Sequence, residues 1–363
     1  MMKTAQDRLN SLSALNYITQ AFSHNVGVTV QPKIKWCQLD VYESFAKLLA
    51  KRKTSKLVTL HAADSNYQTL FTPTKLGQSF FELSDDMSCN QYFNPGIPNC
   101  RMLPIVELLY AMFQRVNLVG VRFVSPALEH AFDYFMQDFK IKLKTREQRS
   151  KTTRWINSYK QMSSKYDRFC ERNIFESNKM FEIYSITVKQ VRFDQNTPIR
   201  AYGDGFQDYS DTDILNEVSQ PLIKAVWKNR NNNHVFSILA KWEMHLDGTL
   251  TKRLIFFVKK DDTNFVPFNE TILCQDLQPF VGYSTTEQLD IRQLPFLDPT
   301  LVQVPFHTYP EPIAPLNFYD LDQSLIGSKL NQLKMYLVGT DYWLRPFGES
   351  SLKYEYTEFA FQS

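Results

Sequence analysis

Between Phe139 and Arg172 the chain reads FKIKLKTREQRSKTTRWINSYKQMSSKYDRFCER. Seven cations, Lys140, Lys142, Lys144, Arg146, Arg149, Lys151 and Arg154, crowd its first half, and Trp155, Tyr159 and Tyr166 are interleaved among the later charges. Lysine and arginine neutralise phosphates and aromatic rings stack on unpaired bases, so the combination suits single-stranded nucleic acid. A solvated helix face can carry the same run of charge. A second group lies in Phe236 to Val258, FSILAKWEMHLDGTLTKRLIFFV, which places Lys241, Glu243, His245, Thr251 and Arg253 on or near one face of an expected hairpin. Asp247-Gly248 between two apolar runs is a strong hairpin signal. In the first run Phe236, Ile238, Ala240 and Trp242 share a face, while Leu254 to Val258 is apolar on both faces, as in a central buried strand. These residues predict a mid-sheet hairpin with a half-solvated polar row.

The elements that must position these groups follow from size and pattern. A chain of 363 residues can bury a large core and accommodates two domains. Charged residues at 22% and hydrophobic ones at 43% describe an ordinary globular protein. Only 11 Gly against 28 Phe argues for a tightly packed core and against a glycine-rich phosphate loop. The net charge of +3 is too small to indicate a nucleic-acid partner by itself, so the local clustering carries that reading. Five scattered Cys with no CxxC support neither a zinc module nor a disulfide framework. The N-terminus lacks the apolar core of a signal peptide, and the window Leu103 to Val124 is broken by Glu107, Arg115 and Arg122. A reducing cytoplasm and no membrane partner are expected.

Residues 1–135 read as mainly helical, with one helix from Tyr42 and another after Pro104 bearing Ile105, Leu108, Leu109, Met112 and Phe113. Residues 136–175 form a basic seam, and from there the pattern turns to strands. Met180 to Val191 alternates and is rich in β-branched and aromatic residues. Asp211 to Asn231 predicts a helix with Thr212 as cap and Leu215, Val218, Leu222 and Val226 buried. After a proline-rich stretch, Asp320 to Val338 predicts a last amphipathic helix ending near Gly339. The fold class is α+β, an N-terminal mainly helical region followed, over 176–363, by a domain with a central antiparallel sheet and packed helices.

Three blocks give the second half a family resemblance. They are FEIYSITVKQ, LAKWEMHLDGTLTKRLIFF and LKMYLVGTDYWLRPFGES, the last with Tyr336, Asp341, Tyr342, Leu344, Arg345, Phe347, Gly348 and Ser350 in order. Over roughly Lys179 to Ser351 the chain resembles the inovirus-type Gp2 proteins, also called the YagK/YfjJ C-terminal domain, of prophages and mobile elements. These look like relatives of the HUH rolling-circle replication initiators, so the resemblance implies a replication-initiator-like domain. It also implies that Tyr336 matches the nucleophile, which would attack a phosphodiester to form a phosphotyrosine.

The departures matter equally. Thr251 and Arg253 stand where the family has its metal-binding histidine pair, and Gly339 replaces the lysine three residues after the tyrosine. Glu243 and His245, with His234, are the residues from which a metal site would have to be rebuilt, but the expected state is no metal. Arg253 then becomes a phosphate contact rather than a metal neighbour. The leading expectation is a DNA-binding, replication-initiator-like protein of a prophage or mobile element with a degenerate nicking site. Its partner would be single-stranded or hairpin DNA, held by the basic segment and Arg253 with Trp155 and Tyr159 stacking. Two alternatives stand beside it. One is an active HUH-type endonuclease and strand transferase using Tyr336 with Mg²⁺ or Mn²⁺. The other is a non-enzymatic protein-interaction or antiphage component whose partner docks on the N-terminal region.

Overall fold

A computed structural model describes residues 4–20, 39–52, 56–61, 70–89, 100–121, 126–175, 180–189, 211–244, 250–260, 271–280, 284–286, 289–290, 307–308, 311–312, 323–346 and 350–357. In chain order the elements are α1 (Ala5–Gln20), α2 (Leu39–Lys51), β1 (Val58–His61), β2 (Leu70–Pro73), α3 (Lys75–Cys89), β3 (Cys100–Met102), α4 (Pro104–Arg115), α5 (Pro126–Lys144) and α6 (Arg146–Cys170). There follow a π-helical turn (Glu171–Phe175), β4 (Met180–Lys189), α7 (Asp211–Lys228), α8 (Arg230–Asn233), β5 (Val235–Met244), β6 (Leu250–Lys260) and α9 (Ile272–Leu277). Two short ladders, β7 (Ser284–Thr286) with β8 (Leu289–Asp290) and β9 (His307–Thr308) with β10 (Glu311–Pro312), precede α10 (Gln323–Lys334). A second π-helical turn (Met335–Gly339), α11 (Thr340–Trp343), β11 (Leu344–Pro346) and β12 (Leu352–Thr357) close the chain. The fold is α+β, with antiparallel sheets and a mainly helical N-terminal region.

The chain forms two compact units that are discontinuous in sequence. One comprises 1–30, 159–341 and 349–363, the other 31–158 and 342–348. This grouping differs from a partition by position at 135 and 175. It falls inside α6, it joins α1 to the sheet, and it gives the β11 segment to the helical unit. The reason for α1 lies in its buried Ser11, Leu12, Ala14 and Leu15, which pack on the π-helical turn Met335–Gly339.

The sheet-bearing unit has strand order β12-β5-β6-β4, all antiparallel. The predicted hairpin strands are therefore the two central ones. Register puts Lys241 opposite Arg253 and Glu243 opposite Thr251, so these four share one face with Leu239, Ile255 and Phe257. That face is covered: Phe169 of α6 meets Phe257 and Tyr354 edge-on, and Lys165 lies 4.4 Å over the Tyr354 ring. The opposite face packs on α7, whose Leu215, Leu222 and Val226 are buried and whose Trp227 stacks on Tyr356. The half-solvated polar row is thus corrected. Lys241, Glu243, Thr251 and Arg253 are all buried, because helices cover both faces of the sheet.

In the helical unit α2, α3, α4 and α5 close on an aromatic core in which Phe80, Phe113, Phe132, Phe135 and Phe139 contact one another. Local chemistry sets several helix starts. Thr74 Oγ1 accepts the Gly77 amide at 3.1 Å, Pro104 opens α4, and Thr145 Oγ1 accepts the Gln148 amide at the start of α6. Gly77 has no room for a side chain, since a Cβ there would lie 2.0 Å from the Leu57 carbonyl oxygen. The last predicted helix is described from Gln323, its first residues Asp320 to Asp322 lying outside the described residues, and it does not stop at Gly339. It runs through the π-helical turn into α11. Phe257 touches Phe169, Phe181 and Phe236. Phe257→Ala should lower the urea unfolding free energy by about 3–5 kcal/mol, as large-to-small changes in packed cores do. A loss under about 1 kcal/mol would contradict a rigid core at this point.

Candidate nucleic-acid interface

The residues that the family resemblance singles out converge, but inside the protein. Tyr336 sits on the π-helical turn with no exposed surface. Its hydroxyl donates to Glu243 Oε1. Arg253 donates to the same carboxylate in a fork, Nε to Oε1 at 2.9 Å and an Nη to Oε2 at 3.2 Å. Both carboxylate oxygens are therefore engaged by donors. Arg253 is 6% exposed, so the expectation that it contacts phosphate is corrected: its charge is neutralised by Glu243. A tyrosine nucleophile must reach phosphorus, and this hydroxyl is buried on an internal partner.

The same arrangement does not fit a metal ion. Glu243 is occupied by a cation and a phenol, and Thr251 is buried opposite it. Among the described residues no group of three or more His, Cys, Asp or Glu is placed to hold a metal. His234 is exposed at a left-handed position at the end of α8, and His245 lies outside the described residues. Gly339, at the family's lysine position, faces α1: a Cβ would come within 2.9 Å of Ser11 Cβ. A lysine side chain has no space there.

A second buried cation explains more of the closing motif. Lys241 Nζ donates to the Leu337 carbonyl at 3.0 Å, Thr340 Oγ1 at 2.9 Å and Ser351 Oγ at 2.6 Å, with Asp341 at 3.6 Å. All three ammonium donors are used, as a buried lysine requires. Burial lowers its pKa, opposed chiefly by Asp341 and Glu243. Asp341 in turn accepts from Ser351 and, at 2.9 Å, from the Ser350 hydroxyl. In the helical unit the Tyr342 hydroxyl donates to Glu43 at 2.6 Å, and an Arg345 Nη donates to the Trp155 carbonyl at 2.8 Å. The polar residues of the motif are tie points of the fold.

The basic segment separates into two faces. On α6 Trp155, Tyr159, Tyr166 and Phe169 are buried, whereas Arg146, Arg149 and Arg154 are exposed. Trp155 donates its indole N–H to the Tyr342 carbonyl at 2.8 Å and carries the Arg345 guanidinium 4.0 Å over its ring. Burial, with Asp7, Asp167 and Asp341 adding, pushes the Tyr159 phenol up to about 12. Trp155 and Tyr159 are corrected from stacking platforms to core residues. Aromatics interleaved with cations in sequence are a helix's two faces when the spacing is 3.6.

Of the seven cations, three are engaged. Lys140 donates to the Arg52 carbonyl at 2.6 Å, Lys142 lies 3.6 Å from Asp138, and Lys151 pairs with Glu147 at 2.7 Å. The other four, Lys144, Arg146, Arg149 and Arg154, are exposed and have no acidic partner among the described residues. With Ser150 and Thr153 they line one concavity of about 420 Å³ at the α5–α6 elbow. Sequence reasoning found all seven charges but not which four remain available.

Compared with known proteins, the chain matches no family model, no curated protein and no solved structure. None of the described helices is long and apolar enough to cross a membrane.

Two outcomes test this geometry. Glu243→Ala leaves the Arg253 guanidinium buried without its counter-charge and should cost about 3–5 kcal/mol of unfolding free energy in urea; near-neutrality would mean that the ion pair is open to water. For Tyr159, an unfolded phenol ionises near 10.0 and the folded one near 12, so the folded state holds the proton longer. Stability should therefore fall as pH rises from 10 to about 12, and Tyr159→Phe should flatten that decline. Identical pH profiles for the two proteins would refute the assignment.

Proposed function

We propose that the protein binds DNA, single-stranded or in hairpin form, through the α5–α6 elbow, and that its resemblance to strand-nicking initiators is a resemblance of scaffold. The observation that carries this is the convergence of Lys144, Arg146, Arg149 and Arg154 on one concavity with two hydroxyls. A run of charge on a helix is ordinarily dispersed and paired with neighbouring acids. Here the paired lysines lie outside the concavity, and the four that line it lack acidic partners among the described residues. Guanidinium groups bind phosphate oxygens in a two-pronged geometry, and serine and threonine hydroxyls add hydrogen bonds without reading sequence. Such a site grips backbone.

The nicking part of the family's chemistry has little to work with. Binding a phosphate equally in ground and transition states gives no rate, and Tyr336, Glu243 and Arg253 already satisfy one another. A prophage or mobile-element setting rests on the resemblance of the three sequence blocks and is part of this proposal.

Combining Lys144→Glu, Arg149→Glu and Arg154→Glu should abolish binding to labelled single-stranded DNA. In single-site variants the slope of log affinity against log salt should shrink by about 0.7 for each phosphate left without its cation. Lys151→Glu, at a cation already paired with Glu147, should change affinity less. Wild-type affinity in the triple variant would sink the proposal. Incubation with the same DNAs and Mn²⁺ followed by a denaturing gel should show no covalent adduct; a shifted band that disappears in Tyr336→Phe would restore the endonuclease reading.

A further inference from the structure

If the elbow holds phosphates, something must receive the bases, and the aromatic residues of α6 are buried. The exposed face of α5 supplies candidates. His130, Tyr134, Gln137, Ile141 and Lys144 are all exposed and follow one another at alternating spacings of four and three, which places them on one side of the helix. Tyr134 is 54% exposed and Ile141 65%; Val41 is the other exposed large apolar side chain among the described residues of the unit. Lys144 belongs both to this stripe and to the wall of the concavity, so the two surfaces are continuous. Arg115 donates to the Tyr134 hydroxyl at 3.1 Å and pairs with Asp138 at 3.2 Å, which holds the ring by its hydroxyl end before any ligand arrives.

Resting on the elbow as the phosphate surface, we propose that Tyr134, with Ile141 two turns further along the same helix face, is the base-stacking platform of the same site, and that its ligand is single-stranded. Charge decides the class of partner. Asp138 is flanked by Arg115 and Lys142, and Glu147 by Lys151, whereas the four cations at the end of the stripe have no acidic partner among the described residues. Two exposed apolar side chains on the face that leads to outward-facing guanidinium groups fit a polyanion with apolar faces. In a duplex those faces are stacked on each other, whereas a single strand offers them to an aromatic ring. The ten steps from Tyr134 to Lys144 span about 15 Å of helix at 1.5 Å per residue. That is room for about four nucleotides at the 3.4 Å spacing of a stacked strand.

The test uses the full-length protein and fluorescence anisotropy with three probes: a short oligothymidylate, an abasic strand of equal length, and a duplex. Tyr134→Ala should weaken oligothymidylate binding roughly 5- to 100-fold, the effect of removing one stacked base, while leaving its salt slope and the abasic affinity unchanged. Tyr134→Phe should retain binding. Tyr134→Leu should not, which separates stacking from an apolar packing role, and thermal melting of each variant checks that the fold is intact. If Tyr134→Ala binds oligothymidylate like wild type while the triple charge reversal still abolishes binding, the platform is wrong and the phosphate surface stands. An equal loss on the abasic strand, or a preference for the duplex, also overturns the platform. If wild type binds none of the probes, the inference and the function it rests on fall together.

Discussion

A charge removed from water must be matched by donors or acceptors nearby, and that requirement organises the sheet-bearing unit. Glu243, Arg253 and Lys241 lie on one face of the two central strands, under the π-helical turn that carries Tyr336. Unpaired, any of the three would cost several kcal/mol, roughly a large share of a domain's whole stability. Glu243 and Arg253 pair with each other across the hairpin, and Glu243 also accepts from the Tyr336 hydroxyl; Lys241 takes all its partners, the Leu337 carbonyl, Thr340, Asp341 and Ser351, from the turn, α11 and the Ser351 segment. A distant stretch of chain is thereby fixed in register against the hairpin. Apolar packing alone would hold the two together without specifying the match so closely.

The same constraint changes how the closing motif reads. Its tyrosine, aspartate, second tyrosine and arginine are the residue types from which phosphoryl-transfer sites are made, and in this protein each has an internal partner. The phenol meets a carboxylate, the aspartate caps two serines, the second phenol meets Glu43, and the guanidinium sits on Trp155. Gly339 completes the picture from the opposite direction, since α1 occupies the space in which a lysine would extend. A polar cluster can be buried provided its charges balance.

Outward, the balance is left open. At the α5–α6 elbow acids neutralise some cations and not others, and the unneutralised ones face a concavity. Stability does not require four exposed cations to converge; mutual repulsion opposes it. Such an arrangement is tolerable where an anionic ligand offsets it, which is why the elbow, and not the buried Tyr336, Glu243 and Arg253 cluster, is the better functional candidate.

Period and turn chemistry were enough to locate α2, α4, α7 and the central hairpin, because Pro104, Asp247-Gly248 and the apolar spacings act locally. The α+β class and a phenylalanine-rich core followed from the same signals. Burial did not, since whether a strand face meets water depends on helices far away in sequence. Lys241, Glu243 and Arg253 looked like a half-solvated row, and Trp155 and Tyr159 looked like free stacking groups, for that reason. The mixture of rings and cations in α6 was fully visible, yet its meaning lay in angle: a 3.6-residue period turns Trp155 inward and Arg146 and Arg149 outward. Tyr134 carried no signal at all in the sequence, one aromatic among many on a helix. The set of charges, rings and elements could be read from residue order alone; which charges are neutralised inside the fold and which remain for a ligand depends on tertiary packing, because pairing and desolvation are properties of neighbours in space.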